Sequence, residues 1–178
     1  MNNILDIKNY NPSSTDCFFF DNNVWIFLYC PIGNISLSKQ KDYSIFLQKI
    51  QTCRASIFIN SMVMSEFANT CLRLDFNLWR EETRNHTAEY KKDYLKTSRS
   101  KGTISAVIAA AKNILKITER SSDNFNAISL NNVFAHFEDI DFNDSYYIEF
   151  CKTMSLILVT DDNDFTLKDP VLKIIRRI

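Results

Sequence analysis

Residues 141–165 read DFNDSYYIEFCKTMSLILVTDDNDF, and this stretch decides the fold. Asp144 stands ahead of Tyr147, Ile148 and Cys151 at helical spacing, and an apolar run from Leu156 to Val159 then ends at Thr160. The spacing predicts a helix feeding a buried strand. Directly afterwards, Asp161-Asp162-Asn163-Asp164-Phe165 gathers acidic side chains at the carboxyl end of that strand. In open α/β sheets this edge is where ligands bind. Taken alone the acidic segment reads as a solvated turn, because Asp and Asn bond to their own backbone and tolerate unusual dihedrals.

Two further strand-then-acid units lie upstream. Cys17-Phe18-Phe19-Phe20 is an all-apolar segment ending at Asp21, the pattern of a short strand buried on both faces. Val24, Trp25, Phe27 and Leu28 continue at near-helical spacing until Pro31 and Gly33 stop the element. By itself Asp21 is a helix N-cap. A helix capped at Ser38 follows, with Tyr43, Phe46, Leu47 and Ile50 on one face, and it leads to a second strand, Ser56 to Ile59. Asn60-Ser61 then opens a helix with the stripe Val63, Phe67, Cys71 and Leu74. Glu66 lies beside that stripe, about one turn in, and by itself is an exposed helical glutamate.

The remainder predicts a helix capped near Thr103, after a break at Lys101-Gly102, with Ile104, Val107, Ile108, Ala111, Ile114, Leu115 and Thr118 as its apolar residues. A shorter helix from Ile128 to Phe137 turns Val133, Phe134 and Phe137 inward, and Val171 to Ile175 forms a last strand. The expected fold is a single α/β domain over residues 1–178, with residues 77–130 as a helical extension within it. A chain of 178 residues, 46% hydrophobic and 24% charged, can bury a core of its own. Two glycines and three prolines leave little room for long structureless linkers.

Twenty-one basic and twenty-one acidic residues balance, so any nucleic-acid surface has to be local. One candidate is the passage after Asn77, where Arg80, Arg84, Lys91, Lys92 and Lys96 alternate with Trp79, His86, Tyr90 and Tyr94. Phosphates want cations and unpaired bases want stacking faces, although a solvated helix with i, i+4 charge pairs has the same composition. The five cysteines are odd in number and widely spaced; they read as reduced core thiols, and with two histidines a His/Cys metal site is not expected. No basic, apolar leader opens the sequence and no apolar run approaches the ~20 residues of a bilayer span. The expectation is a cytoplasmic protein without a membrane partner.

Read as a set, the acids are Asp21, Glu66, Asp144, Asp162 and Asp164. Two like charges at ~4 Å repel by about 4 kcal/mol at an effective dielectric near 20, so such a group needs a neutralising partner. Oxygen-only ligands suit a hard divalent cation, Mg²⁺ or Mn²⁺. Such ions suit phosphodiester hydrolysis, in which they activate a water and stabilise the departing oxygen.

The same residues resemble the PIN-domain nucleases, especially the ribonucleases of bacterial toxin–antitoxin pairs. The resemblance rests on the apolar strand ending in Asp21 with Asn23 after it, on the step from Ser61 to Glu66, on Asn143-Asp144 opening a helix, and on Leu158 to Phe165, similar to the family's Thr-x-Asp-x-Asp-Phe signature. It implies a three-layer α/β/α fold with a short parallel sheet of four to five strands. It also implies that Asp21, Glu66, Asp144 and Asp162 hold the metal, with Asp164 supporting them and Asn23 and Thr160 orienting carboxylates. RNA would be the substrate, an antitoxin protein a partner, and a homodimer the assembly. The departure from the family is the long passage between Glu66 and Asp144. Two other classes stay open: a catalytically silent module of the same fold that binds RNA or protein, and a phosphatase, for which Asp21-Asn22-Asn23 lacks the second acid of an Asp-x-Asp.

Overall fold

The computed structural model describes residues 3–33, 35–165 and 172–178. Its strands are β1 (Ile4–Asp6), β2 (Cys17–Phe20), β3 (Ser56–Ile59), β4 (Glu119–Arg120), β5 (Ile157–Val159) and β6 (Ile174–Arg176). Its helices are α1 (Asn22–Tyr29), α2 (Leu37–Cys53), α3 (Ser61–Thr83), α4 (Ser98–Lys116), α5 (Leu130–Phe137) and α6 (Phe142–Met154), with a short 3-10 turn at Tyr94–Lys96. The strands form one sheet in the order β1-β6-β5-β2-β3-β4, and every pairing is parallel.

Among the described residues there are six strands, where four to five were expected. The two additional strands, β1 and β4, sit at the edges and are three and two residues long. Neither carries an apolar run that marks a strand by itself; β4 is the exposed pair Glu119-Arg120. The last strand begins at Ile174, and Val171 lies outside the described residues.

Side chains alternate across a strand, and β2 shows why the sheet is covered on both sides. Phe18 and Phe20 contact Phe46 of α2, with Phe20 also against Trp25 of α1. Phe19, pointing the other way, packs on Tyr147 and Phe150 of α6. All three phenylalanines have no exposed surface. The chain moves from β2 through β3 to β4 in one direction and then returns across β2 to β5, so right-handed crossovers place α5 and α6 on the face opposite α1 to α4. The result is three layers, helix on sheet on helix.

Several helix details differ from the sequence expectation. The cap of α2 is Ser36, two residues before Ser38, and α4 starts at Ser98 under a Thr97 cap, so Gly102 lies inside a helix instead of breaking one. On α3 the stripe Val63, Phe67 and Cys71 is buried, but the next buried position is Asp75, with Leu74 left 38% exposed. The helix turns Asp75 toward α4 because Arg99, Thr103 and Tyr94 bond to it. Of the α4 residues, Val107 and Ile114 are buried while Ile104, Ile108 and Leu115 are exposed; on α5, Val133 is buried while Phe134 and Phe137 face outward. These helices are apolar on more than one side, so sequence period alone does not select the buried face.

The 77–130 passage holds the end of α3, the 3-10 turn, α4 and β4. Val107, Ala110 and Ile114 of α4 belong to the main core, whereas Phe76, Ala88 and Tyr94 form a small core of their own with Trp79, Tyr90 and Leu95 around it. No helix among the described residues is long and apolar enough to cross a membrane.

Candidate functional site

All strands run the same way, so all their carboxyl ends reach one edge of the sheet. The connection order reverses between β2 and β5, which are hydrogen-bonded neighbours although far apart in sequence. A crevice opens at such a switch point because successive connections leave on opposite faces. Asp21 ends β2 there, and Thr160 and Asp162 follow β5. Helices that leave or approach this edge bring the other acids: Glu66 lies in the second turn of α3, directly after β3, and Asp144 lies in the first turn of α6.

Asp21 is the floor of the crevice. It is 4% exposed, and its Oδ1 accepts the backbone N–H of Asn22 at 2.5 Å, so it caps α1 as well. Its Oδ2 accepts Asn23 Nδ2 at 2.5 Å and the Thr160 hydroxyl at 2.8 Å. Asn23 also donates to Thr160 Oγ1 at 3.0 Å, and its own Oδ1 accepts the Asp161 N–H at 3.1 Å. Thr160 Oγ1 in turn accepts the Asp162 N–H at 3.0 Å. Asn23 and Thr160 therefore tie the first turn of α1 to the end of β5 and fix the Asp21 carboxylate between them.

The other acids are held more lightly. The Tyr147 hydroxyl donates to Glu66 Oε2 at 2.7 Å, joining α6 to α3 across the crevice. Asp162 Oδ1 accepts the Asp164 N–H at 2.8 Å, so Asp164 orients Asp162 through its backbone while its own side chain stays exposed. Asp161 is set apart from the group: Lys39 Nζ lies 2.5 Å from one of its oxygens, and the Tyr43 hydroxyl donates to the other at 3.0 Å.

Burial raises the proton affinity of Asp21 most; despite the Thr160 bond, which opposes this, and with Glu66 and Asp162 adding repulsion, its pKa is pushed up to about 7. Asp144 is pushed up to about 8, first by burial and then by the charges of Asp21, Asp141, Asp162 and Glu66. Glu66 is also raised, chiefly by burial, with the Tyr147 bond working against the shift. Asp21, Glu66, Asp144 and Asp162 thus share one electrostatic field.

No family model matches this chain, and neither does any curated protein. Six chains of solved structures do. One is VapBC2 from Rickettsia felis, in a crystal structure bound to a DNA fragment from its promoter: 14% identity, 90% of this chain and 98% of that one, TM-score 0.49. Another is PAE2754 from Pyrobaculum aerophilum, at 14% identity over 96% of this chain and 90% of that one, TM-score 0.46. The likeness covers most of the chain and is one of fold.

The donor set fits a hard divalent cation in two respects. It is oxygen-only, and its members repel one another in a way a cation would relieve. A further oxygen is to hand in Asn22, whose Oδ1 is buried without a hydrogen-bond partner while its Nδ2 donates to Thr70. Among the described residues, however, no three His, Cys, Asp or Glu side chains form a ready-made metal cage.

Some residues of the crevice are not evident from sequence. Asp141 caps α6 through the Asp144 N–H and adds its charge to Glu66 and Asp144; the Asp-x-x-Asp spacing across a helix start was its only signal. Tyr147 and Asn22 read simply as helix residues. The basic residues Arg84, Lys91, Lys92 and Lys96 are exposed in the passage beyond α3, with Lys92 Nζ 2.6 Å from Glu89. Arg80 donates to the His86 carbonyl at 2.6 Å and lies over the Phe76 ring, where it closes the end of α3. Tyr94 is buried, with its hydroxyl on Asp75.

Proposed function

We propose that the protein is a metal-dependent endoribonuclease, with Asp21, Glu66, Asp144 and Asp162 as the residues that hold Mg²⁺ or Mn²⁺. The observation that carries this reading is the gathering of these four acids at the switch point of a parallel sheet, with Asp21 and Asp144 pushed up to about 7 and 8 by burial and mutual repulsion. Uncompensated carboxylates destabilise a fold and are retained where a charge is to be bound. A bound hard cation would supply an activated water and neutralise the departing oxygen of a phosphodiester.

The chain's own residues supply position and order. Asn23 and Thr160 keep both lone-pair edges of Asp21 Oδ2 occupied, so Oδ1, which also accepts the Asn22 N–H, is the oxygen with capacity left for a cation. Tyr147 fixes one oxygen of Glu66, and the side chains of Asn22 and Asn143 also favour its charged form. The Asp164 N–H fixes one oxygen of Asp162, so Asp164 acts as a supporting residue through its backbone. Preorientation of this kind is what a metal site requires of the groups around its ligands.

Purified protein incubated with single-stranded RNA and Mn²⁺ should cleave it, EDTA should abolish cleavage, and Asp21→Asn or Asp144→Asn should remove it. Cleavage that survives EDTA and both substitutions rejects the proposal. The long helical passage between Glu66 and Asp144 motivates a second reading, a catalytically silent module of the same fold that binds RNA or protein. Calorimetric Mn²⁺ binding that is lost in Asp144→Asn separates the two. A toxin role with an antitoxin partner, and a homodimer, rest on the sequence resemblance alone.

A further inference from the structure

From Glu66 a groove of about 610 Å³ runs along α3 and away from the crevice. Ser65, Asn69, Arg73 and Asn77 line it at successive i, i+4 steps, so they stand in one row on the helix surface. Asn143, next to Asp144, lines the near end. Apart from Glu66 at the mouth, no lining residue is acidic.

Arg73 is the one cation in this lining. Its guanidinium lies 4.1 Å from the centroid of the Tyr90 ring, which holds it in place without neutralising it. Other cations nearby are already engaged: Arg99 with Asp75 and Glu82, Arg80 with the His86 carbonyl, and Lys92 with Glu89. Arg73 forms no ion pair among the described residues. It lies seven residues beyond Glu66, or roughly 10 Å along the helix axis at about 1.5 Å per residue.

We propose that this groove is the track of a single-stranded nucleic acid, with Arg73 as the phosphate anchor one to two nucleotides from the scissile bond and the amides of Asn69 and Asn77 bonding the strand beside it. The proposal rests on the nuclease reading for the position of the scissile bond. A row of neutral donors with one oriented guanidinium matches a polyanion, since planar guanidinium groups pair with phosphate oxygens through two parallel bonds. An acidic peptide would also meet Arg73, but its charges sit at the ends of flexible side chains, whereas a nucleic-acid strand carries a phosphate at every step of its backbone.

Binding of a fluorescein-labelled single-stranded RNA to the Asp144→Asn protein, followed by anisotropy from 50 to 300 mM salt, tests the track without requiring catalysis. Arg73→Gln in that background should weaken binding by about five- to tenfold and reduce the salt slope by about 0.7, the value for one phosphate contact on a single strand. Lys116→Gln, an exposed lysine at the far end of α4, is the control for a general loss of positive charge. Asn69→Asp should weaken binding further by repulsion. If RNA binds and neither Arg73→Gln nor Asn69→Asp alters it, the track is overturned while the nuclease reading stands. If no RNA binds and an acidic peptide does, both fall.

Discussion

Replacing Asp21 with Asn should stabilise the metal-free protein at neutral pH. Asp21 is 4% exposed, and its carboxyl is moved from 3.8 to about 7. A tenfold change in proton affinity is about 1.4 kcal/mol, so keeping Asp21 ionised costs the folded state roughly 4 kcal/mol above pH 7. A carboxyl whose pKa is raised on folding binds its proton more tightly in the native state. Its cost is therefore absent below about pH 4, grows as the pH rises toward 7, and then levels off. Asn at this position still accepts the Asn22 N–H, but its amide N–H₂ cannot accept from Asn23 Nδ2 or from the Thr160 hydroxyl, whose oxygen already accepts Asn23 and the Asp162 N–H; two lost hydrogen bonds remove about 2 kcal/mol of the gain. The net expectation is stabilisation by about 2 kcal/mol at pH 7.5 in EDTA, or about 4–8 °C in Tm for a chain of this size. At pH 4 the gain should vanish or reverse. Urea and thermal unfolding at both pH values read this directly, and added Mn²⁺ should then raise the Tm of the parent and not of the variant. Equal or lower stability of the variant at pH 7.5, with no dependence on pH, would refute the reasoning.

Three further outcomes follow from the same geometry. Mn²⁺ affinity should rise from pH 6 to pH 8 with release of protons, because Asp21 and Asp144, pushed up to about 7 and 8, must ionise to bind; calorimetry in two buffers of different ionisation enthalpy counts those protons, and a flat profile contradicts the electrostatic picture. Asp75→Ala should destabilise the protein by about 2–3 kcal/mol in urea unfolding, toward the low side for a broken buried pair because Arg99 keeps partial access to water; a loss below about 0.5 kcal/mol would show that Tyr94, Thr103 and Arg99 do not depend on it. Diamide should join Cys30 and Cys71, whose sulfurs lie 3.2 Å apart, with the loss of two hydrogens seen by peptide mass mapping; pairing of any other cysteines instead would place α1 and α3 differently.

Much of this arrangement was readable because burial on both faces writes itself into composition. Phe18, Phe19 and Phe20 had to be a central strand, since no amphipathic element tolerates three consecutive large apolar residues facing both ways. Once the strands are ordered parallel, the acids after β2, β3 and β5 belong to one edge, and Asp144 comes to it from the first turn of the helix that leads into β5. β1 and β4 stayed hidden because edge strands gain their identity from a neighbour's backbone and not from their own side chains. Asp75 was unreadable for a related reason: a carboxylate on a helix looks solvated until Arg99, Thr103 and Tyr94 arrive from another part of the chain. The distinction between Asp161 and Asp162 likewise depends on Lys39 and Tyr43, more than a hundred residues earlier.

The placement of β5 between β2 and β6 has a bearing on biosynthesis. Thr160 and Asp162 reach Asp21 only after β5 has slotted in beside β2, and β5 is made more than a hundred residues after β2. A growing polypeptide that has made β2 and α3 carries Asp21 and Glu66 but lacks the far wall of the crevice. The crevice is therefore complete only once synthesis has passed β5, and a fragment terminated upstream of Ile157 holds Asp21 without the Thr160 bond that orients it.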